Sequence, residues 1–393
     1  MRPFEESKVS TYLSLSSFYF FFFALLGGFA PYLPLYLDDL GFSHYDIGVL
    51  MSVLLITKVL APNLWSWIGD HSGKRLFLVR AGSFLSFLFF CGMLFVESFW
   101  ALIFVIAGFS FFWNAILPQY EVVTLFNLGK DRRRYSLIRV WGSIGFIITV
   151  YCLGFVFNVF SIRILPWVLC AITLMIWLTS LSRVKERQKT THEPLAGLFN
   201  LIKQPGVIAF FVINFLLQVS HGPYYTFFSL YLENIGYSKS LIGSMWALGV
   251  LAEVILFLFM APLLHRFSLR QLIIVSLFLT TLRWLITALY GENTMLLFTS
   301  QLAHAASFGV MHVVAIHYIN EHFDGEHEGQ GQALYSSLSF GLGGAAGAYF
   351  SGYLAEMVAL STLFFYAAGI SLVAMIIALL PNTATKQQQC PSR

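Results

Sequence analysis

Residues 230–243 read LYLENIGYSKSLIG, and residues 35–48 read LYLDDLGFSHYDIG. At an offset of 195 positions, seven of the fourteen residues are identical, including both glycines and the serine between them. Each copy follows one long apolar run and leads into the next, so the two copies occupy the same place in their surroundings. The chain therefore contains an internal repeat, and its two halves are predicted to fold alike.

Apolar residues dominate the rest of the chain as well. Of its 393 residues, 58% are hydrophobic and only 11% are charged. A soluble protein of this length needs more polar residues to cover its surface, and here runs of about 20 apolar residues recur from end to end. Outer-membrane barrels show short alternating segments instead. The composition therefore predicts an all-α polytopic membrane protein.

A polar segment near the middle divides the apolar spans into six plus six. We predict an N-terminal six-helix bundle over residues 1–182, a cytoplasmic linker over 183–205, a C-terminal six-helix bundle over 206–381 and a cytoplasmic tail over 382–393. Because six is an even number, both halves enter the membrane from the same side, as in transporters built from parallel repeats around a central site. The twelve predicted spans are 10–37, 44–69, 76–96, 98–122, 134–157, 161–182, 206–233, 238–263, 270–290, 294–320, 329–355 and 359–381.

The basic residues indicate the orientation of the spans. With the N-terminus inside, 18 of the 23 Lys and Arg residues lie at inner ends and tails. Two, Arg163 and Lys239, lie in outer loops, and three, Lys58, Arg139 and Arg283, lie within spans. Inner loops of membrane proteins are enriched in Lys and Arg, so both termini are predicted to be cytoplasmic, in the cell inner membrane. The net charge of +4 reflects this topology and requires no nucleic-acid partner.

One apolar span carries a carboxylate near its middle. Residues 245–260 read MWALGVLAEVILFLFM, with Glu253 as the charged residue. A charge at the centre of a bilayer costs about 2.5–3.5 kcal/mol on insertion scales, so Glu253 needs a partner or holds a proton. Two later spans offer partners, Arg283 and His304. Proton coupling and a static buried ion pair both fit Glu253, and His304 either relays protons or is simply packed.

Other polar residues within spans are candidates for binding a substrate. The planar guanidinium of Arg139 can hold a carboxylate through two parallel hydrogen bonds. It faces a central cavity if it pairs with Glu121; otherwise it lies at the cytoplasmic interface. His221 and Gln218, beside a Gly-Pro break in the seventh span, are predicted to form the outer part of the same site. Aromatic side chains such as Tyr225 would line an apolar pocket suited to an aryl ring.

A short loop motif suggests the superfamily. Residues 67–75, WIGDHSGKR, lie between the second and third spans and resemble the loop signature of the major facilitator superfamily. The usual leading glycine is Ser66 here. The resemblance implies the major facilitator fold, with twelve transmembrane helices in two six-helix bundles, and a monomer in the lipid bilayer. The matching positions, expected to act in conformational change, are Asp70, Gly73, Lys74 and Arg75.

Three further segments are similar to the phenylpropionate permease group, which is related to the lactose/proton symporters. They are RVWGS from Arg139, HGPYY from His221 and WALGVLAE over residues 246–253. Glu121 and Arg139 stand 18 positions apart, which resembles the arrangement that binds galactoside in lactose permeases. Phe146 occupies the place of the sugar-stacking tryptophan of that family.

The resemblance to lactose permeases also covers the buried charges. Glu253, Arg283 and His304 resemble the coupling and binding group of that family. One departure matters: the family's coupling glutamate, three residues after the histidine, is Ser307 here. Proton transfer is therefore expected to rest on Glu253.

Together these features predict an ion-driven secondary transporter, since no P-loop pattern suggests ATP as the energy source. An enzyme is not expected, because no paired metal ligands and no nucleophile constellation stand on a loop. We expect proton-coupled uptake of a small organic solute by alternating access, with an aryl carboxylate such as 3-phenylpropionate as the substrate. Arg139 would bind the anion, and Glu253 would carry the proton with help from His304. Sodium in place of the proton stays open, as do sugar or oligosaccharide symport and, with less support, multidrug export or passive facilitation. No cofactor and no metal ion are expected, because the four cysteines lack metal-type spacing.

Overall fold

In a computed structural model of the chain, the described backbone comprises residues 2–129, 131, 134–182, 184–186, 201–323 and 327–380. Side chains are described from Thr11 onwards. The predicted tail over residues 382–393 lies outside the described part, as do residues 183 and 187–200 of the predicted linker. The division of the chain into two bundles, a linker and a tail therefore stays a prediction at those boundaries.

All secondary structure in the described ranges is helical, and it forms twelve consecutive helices, some of them interrupted. Eleven of them are long and apolar enough to cross a membrane. The exception is the eleventh helix, which begins with a polar turn that contains Glu328, Gln330 and Gln332. The predicted all-α multi-span fold is thereby confirmed. The first six helices are α1 Arg2–Asp39, α2 His44–Ser72, α3 Arg75–Cys91, α4 Phe99–Leu128, α5 Tyr135–Val159 and α6 Leu165–Ser180.

Three helices of the second half are interrupted within the span. The seventh helix is broken at His221, while the tenth and eleventh helices each contain a π-helical segment, in which the helix turn is widened by an extra residue. The second-half bounds are α7 Pro205–Ser220 and Gly222–Asn234, α8 Lys239–Phe257 followed by the short helix Met260–Arg266, α9 Leu269–Leu289, α10 Thr294–Leu302 and Met311–His322 around the π segment Ala305–Val310, α11 Glu328–Tyr335 and Gly344–Ala355 around the π segment Ser336–Gly343, and α12 Leu360–Leu379.

The repeated sequence motif ends one helix and starts the next in both halves. Gly41 and Gly236 adopt left-handed backbone conformations, with φ of 87° and 94°, which favour glycine. Ser43 and Ser238 then cap the first turns of α2 and α8 by accepting a backbone N–H. The shared glycine and serine therefore have the same structural role in both copies, which explains why their spacing is the same.

The second glycine of the motif brings the two halves together. A Cβ atom on Gly48 of α2 would come within 2.6 Å of the Cα atom of Gly352 on α11. A Cβ atom on Gly243 of α8 would come within 2.6 Å of the carbonyl oxygen of Val150 on α5. The backbones of opposite halves thus meet at glycines in two related places. We call this end of the molecule, at residues 40–48 and 235–243, the motif end.

Hydrogen bonds between the halves lie mainly at the motif end. The backbone N–H of Tyr45 donates to Glu356 Oε1 at 2.9 Å. Asn158, at the end of α5, donates to Ser240 Oγ at 2.8 Å. A third pair, in which Asn63 donates to Ser337 Oγ at 3.1 Å, lies further along α2 and α11. The molecule is therefore closed at the motif end.

The loop motif lies at the opposite end of α2. Gly73 ends the helix with a left-handed conformation, φ 69°. Arg75 forms an ion pair with Asp70 and donates to Gln119 Oε1 of α4 at 2.5 Å. The motif therefore ties the end of α2 to the start of α3 and to α4 within the first half. This contact explains the local geometry of the loop, while its role in conformational change stays a prediction.

A second pair of related contacts was not anticipated from the sequence. Arg80 of α3 donates to the carbonyl oxygens of residues 180–182, at 3.2 to 3.4 Å, just past the end of α6. Arg270 of α9 donates to the carbonyl oxygens of residues 378–380, at 2.8 to 3.2 Å, at the end of α12. The last carbonyls of a helix have no partner within the helix, so each arginine satisfies one such end.

Candidate buried-charge site

The buried charges of the second half form one hydrogen-bonded chain. Glu253 of α8 lies 2.8 Å from His304 of α10, measured from Oε1 to Nε2. Arg283 of α9 lies 2.9 Å from the other ring nitrogen of His304, measured from Nη1 to Nδ1. All three side chains are buried, and Arg283 is completely so. The structure thus brings the three predicted coupling residues together, with the histidine between the two charges.

The partners of His304 determine which ring nitrogen carries the hydrogen. A guanidinium has only donors, so Nδ1 must accept a hydrogen bond from Arg283. Nε2 therefore carries the hydrogen and donates it to Glu253. A second proton on this ring would point an N–H group at the N–H group of Arg283. In this arrangement His304 is neutral.

Neutral side chains complete the surroundings of Arg283. Nη1 donates to Ser307 Oγ at 3.1 Å, and Nη2 donates to Gln301 Oε1 at 3.3 Å. The guanidinium also lies 4.2 Å from the ring centre of Tyr224 and 4.3 Å from that of Trp284, distances typical of cation–π contacts. Ser307, which stands where the lactose permeases have their coupling glutamate, thus accepts a hydrogen bond from the buried arginine.

Two glycines provide the space for this chain between α8 and α10. A Cβ atom on Gly249 would come within 3.3 Å of the His304 ring, and one on Gly309 within 3.6 Å of Glu253 Cγ. Gly309 belongs to the π segment that begins directly after His304. The widened turn and the missing side chains together allow an imidazole and a carboxylate to meet between two close helices.

The seventh helix contributes aromatic neighbours to the site. His221 lies at the bend of α7, where its Nδ1 is 2.8 Å from the carbonyl oxygen of Leu217. Its Nε2 has no hydrogen-bond partner within the described ranges, and its ring centre is 6.3 Å from that of His304. Tyr225 stacks on His221 at 5.9 Å. Gln218 is buried against Gly343 of α11, so it packs between helices.

The predicted substrate residues of the first half lie on α4 and α5. Glu121 accepts a hydrogen bond from the hydroxyl of Tyr135 at 3.0 Å and also interacts electrostatically with Arg139. Among the described residues, these two form no ion pair within 4.0 Å. The guanidinium of Arg139 instead lies 3.9 Å from the ring centre of Phe23. Phe146 is 6% exposed and belongs to a hydrophobic core cluster that includes residues of both halves.

The charge of Arg139 nevertheless acts on the site of the other half. Its charge interacts electrostatically with Glu253 and with His312 of α10. Lys58 of α2 interacts with His312 as well. The sequence assigned no role to Lys58 or His312. A signal was present, because a lysine in the middle of an apolar span is rare, but the sequence does not show what it faces.

Comparison with known proteins identifies the family. The chain matches the MFS_1 like family over residues 12–389. It belongs to that family. The resemblance to the major facilitator superfamily is thereby confirmed, and this MFS_1 like protein is a secondary transporter of small molecules in a lipid bilayer, not an enzyme.

Relatives of this family member carry transporter names. It is 28% identical over 349 residues to a protein of Escherichia coli (strain K12) named "Probable 3-phenylpropionic acid transporter", covering 86% of this chain and 89% of that one. It is 25% identical over 373 residues to the maltose permease of Geobacillus stearothermophilus, covering 92% of each. The crystal structure of the nucleoside transporter NupG has a TM-score of 0.82 at 20% identity, covering 94% of this chain and 98% of NupG. This last likeness shows the fold alone.

Proposed function

We propose that this transporter is a proton-coupled symporter that takes up an aryl carboxylate such as 3-phenylpropionate. The observation that supports the proposal most is the chain from Glu253 through neutral His304 to Arg283. It contains one group that can take up a proton without breaking the other contacts, and that group is Glu253. The name of the E. coli relative supports the substrate class.

Charge balance suggests how the proton and the anion would be coupled. With Glu253 ionised, its charge offsets that of Arg283 through His304. Binding a proton removes the negative charge, so the buried site becomes positive by one unit in a medium where charges interact strongly. An anion near Arg139 would offset this excess, because Arg139 and Glu253 interact electrostatically. Each ligand would therefore favour binding of the other, which is the requirement for symport.

The proposed orientation follows from the basic residues. Both termini would lie in the cytoplasm and the protein in the inner membrane, working as a monomer of two six-helix bundles. The motif end would then face outwards, and the described conformation would be closed to the outside. Alternating access would require α2 to separate from α11, and α5 from α8, at the glycine contacts of the motif end.

A sugar or oligosaccharide is the second candidate substrate. Glu121 with the Tyr135 hydroxyl and Arg139 offers acceptors and donors to a polyol. The maltose permease relative also favours this alternative. Competition of labelled 3-phenylpropionate uptake by unlabelled maltose or by unlabelled aryl acids distinguishes the two substrate classes, since only compounds that bind the site reduce the signal.

The coupling proposal is tested with Glu253→Gln in proteoliposomes. An amide keeps the shape of the side chain but cannot exchange a proton, so the variant should exchange substrate across the membrane yet fail to accumulate it when a pH gradient is imposed. The measurements are counterflow and pH-driven uptake of labelled 3-phenylpropionate. Glu292→Gln, at an exposed carboxylate between α9 and α10, is the matched control and should behave as wild type. Full pH-driven accumulation by Glu253→Gln would reject Glu253 as the proton carrier.

A further inference from the structure

Lys58 is a membrane-embedded cation whose described contact is an aromatic ring. Its ammonium group lies 5.3 Å from the ring centre of Phe340, in the π segment of α11. Among the described residues, no carboxylate lies within 4.0 Å of it. A buried lysine that serves only structure is normally paired. Lys58 is half-buried as a residue, and its ammonium has no carboxylate partner among the described residues, so it can pair with an anion bound beside it.

The helices opposite Lys58 present a wall of aromatic side chains. The ring centre of Phe340 lies 5.7 Å from that of Phe308 and 6.0 Å from that of His312. Phe308 stacks on His312 at 6.4 Å. Tyr335 closes the wall, with its hydroxyl 3.5 Å from His312 Nδ1. Phe308, His312 and Phe340 are half-buried, in contrast to the fully enclosed rings around Arg283, so part of each surface remains open.

Two cations from different helices act on this wall. Lys58 of α2 and Arg139 of α5 both interact electrostatically with His312 of α10. Arg139 interacts with Glu253 as well. Two cations from the first half therefore act at the place where one histidine and several aromatic rings of the second half meet. An anion placed there lies within electrostatic range of the proposed proton carrier.

We propose that Lys58 and Arg139 together bind the carboxylate of the substrate beside His312, with Phe308 and Phe340 holding its aryl group. The inference rests on the proposed function and deepens it, because it names a binding residue for the substrate's charge and one surface for its ring. An ammonium ion forms charge-assisted hydrogen bonds with a carboxylate, and a flat ring packs well against other rings. A neutral sugar gains nothing from the first of these interactions.

Because of where Lys58 lies, a bound carboxylate would also connect the two halves of the molecule. Lys58 belongs to the first half, whereas Phe340 and His312 belong to the second. A substrate held between them contacts both halves at once, on the same pair of helices that meets at Gly48 and Gly352. Substrate binding is thus linked directly to the relative position of α2 and α11.

The test compares binding of a charged and a neutral ligand to the purified full-length protein. Lys58→Met removes the ammonium but keeps the length of the side chain, and Lys58→Arg keeps the charge as the matched control. The affinity for 3-phenylpropionate, measured by isothermal titration calorimetry, should fall on the order of tenfold or more in Lys58→Met, since charged hydrogen bonds contribute about 1.5–3 kcal/mol. In Lys58→Arg it should stay within about threefold of wild type, because the positive charge is retained. The affinity for 3-phenylpropionamide should be the same in all three proteins.

The outcomes separate the inference from the function on which it rests. If Lys58→Met binds the acid as tightly as wild type, the inference is overturned and the proposed function stands. An equal loss for acid and amide would also overturn it, because the loss would then concern packing and not charge. If wild type itself binds no aryl acid, the proposed substrate falls together with the inference. Should Lys58→Met fail to fold, Lys58→Gln replaces it with the same expectation.

Discussion

Three cations, Lys58, Arg139 and Arg283, lie within the membrane spans, and their surroundings suit them to different roles. Arg283 is completely buried and its donors meet His304, Ser307 and Gln301. Few donors therefore remain for a substrate. Arg139 stacks its flat face on Phe23, which leaves the edge of the guanidinium available for a carboxylate. Lys58 has a ring as its described neighbour. The two half-buried cations are the ones suited to bind an anion.

Replacing Arg139 by lysine tests the geometry of its hydrogen bonds. Lysine keeps the positive charge but cannot form two parallel hydrogen bonds to one carboxylate, and it lacks the flat face that stacks on Phe23. We expect the half-saturation concentration for 3-phenylpropionate uptake to rise on the order of tenfold, as the loss of one charged hydrogen bond implies. The measurement is the concentration dependence of initial uptake rates.

Arg163→Lys is the control for this substitution. Arg163 is an exposed arginine that pairs with Asp39 at 2.7 Å, and its replacement should leave the half-saturation concentration unchanged. An unchanged value in Arg139→Lys would remove Arg139 from the substrate site.

At the scale of single helices, glycines decide which helices can approach each other. The contact of α2 with α11 depends on Gly48 and Gly352, and that of α8 with α5 on Gly243 and Gly154. In all four cases, a Cβ atom would come within 3 Å of the backbone of the opposite half. These contacts are short because no side chain intervenes.

Gly48→Val is expected to weaken the closure at the motif end. The new side chain would collide with the backbone of α11, and overpacking of this kind typically costs about 1–3 kcal/mol. We expect the population closed at this end to fall. Spin labels at Asp46 of α2 and Tyr353 of α11, measured by pulsed electron resonance, should report a longer distance than in the parent protein.

The matched control is Gly369→Val on α12, because no atom lies within 4 Å of a Cβ atom built there. It should leave the distance between the two labels unchanged. The same distance in Gly48→Val and in the parent would show that the glycine contact does not govern closure.

Much of this element-scale organisation could be predicted from the sequence. The twelve apolar spans and the repeated motif depend on local composition, which is readable residue by residue. The π segments after His304 and Tyr335 could not be predicted, because an extra residue in a helical turn leaves the hydrophobic pattern almost intact. The sequence also could not show that His304 lies between Glu253 and Arg283. The partners of a buried histidine depend on how α8, α9 and α10 pack against each other.

At the scale of the whole molecule, the two halves use the same contacts in related places. The second helix of each half crosses the fifth helix of the other at glycines, and Arg80 and Arg270 cap the last helix of each half. The internal repeat predicted this relation in outline. It could not predict that Glu253, His304 and Arg283 would form one hydrogen-bonded chain, or that the charges of Lys58 and Arg139 would act on His312 of the second half. The two copies have therefore diverged in their charges while keeping their packing.

The proposed alternating access makes one prediction about the whole molecule. Asn158 of α5 and Ser240 of the second half hydrogen-bond across the motif end at 2.8 Å. If both are replaced by cysteine and joined by a short bifunctional thiol reagent, the motif end cannot open. We expect transport of 3-phenylpropionate to be lost on crosslinking, while binding to the purified protein remains, because the proposed substrate site at Lys58 and Arg139 does not include Asn158 or Ser240.

Native cysteines provide the control for that experiment. Cys91 and Cys170 lie 3.2 Å apart, measured between their Sγ atoms, and both belong to the first half. A crosslink between them joins α3 to α6 within one bundle, and would not oppose a movement of one bundle relative to the other. The same reagent should therefore leave transport by the parent protein intact. If the crosslinked Asn158→Cys, Ser240→Cys protein transports at the parental rate, the motif end does not open during the cycle, and the halves must move in some other way.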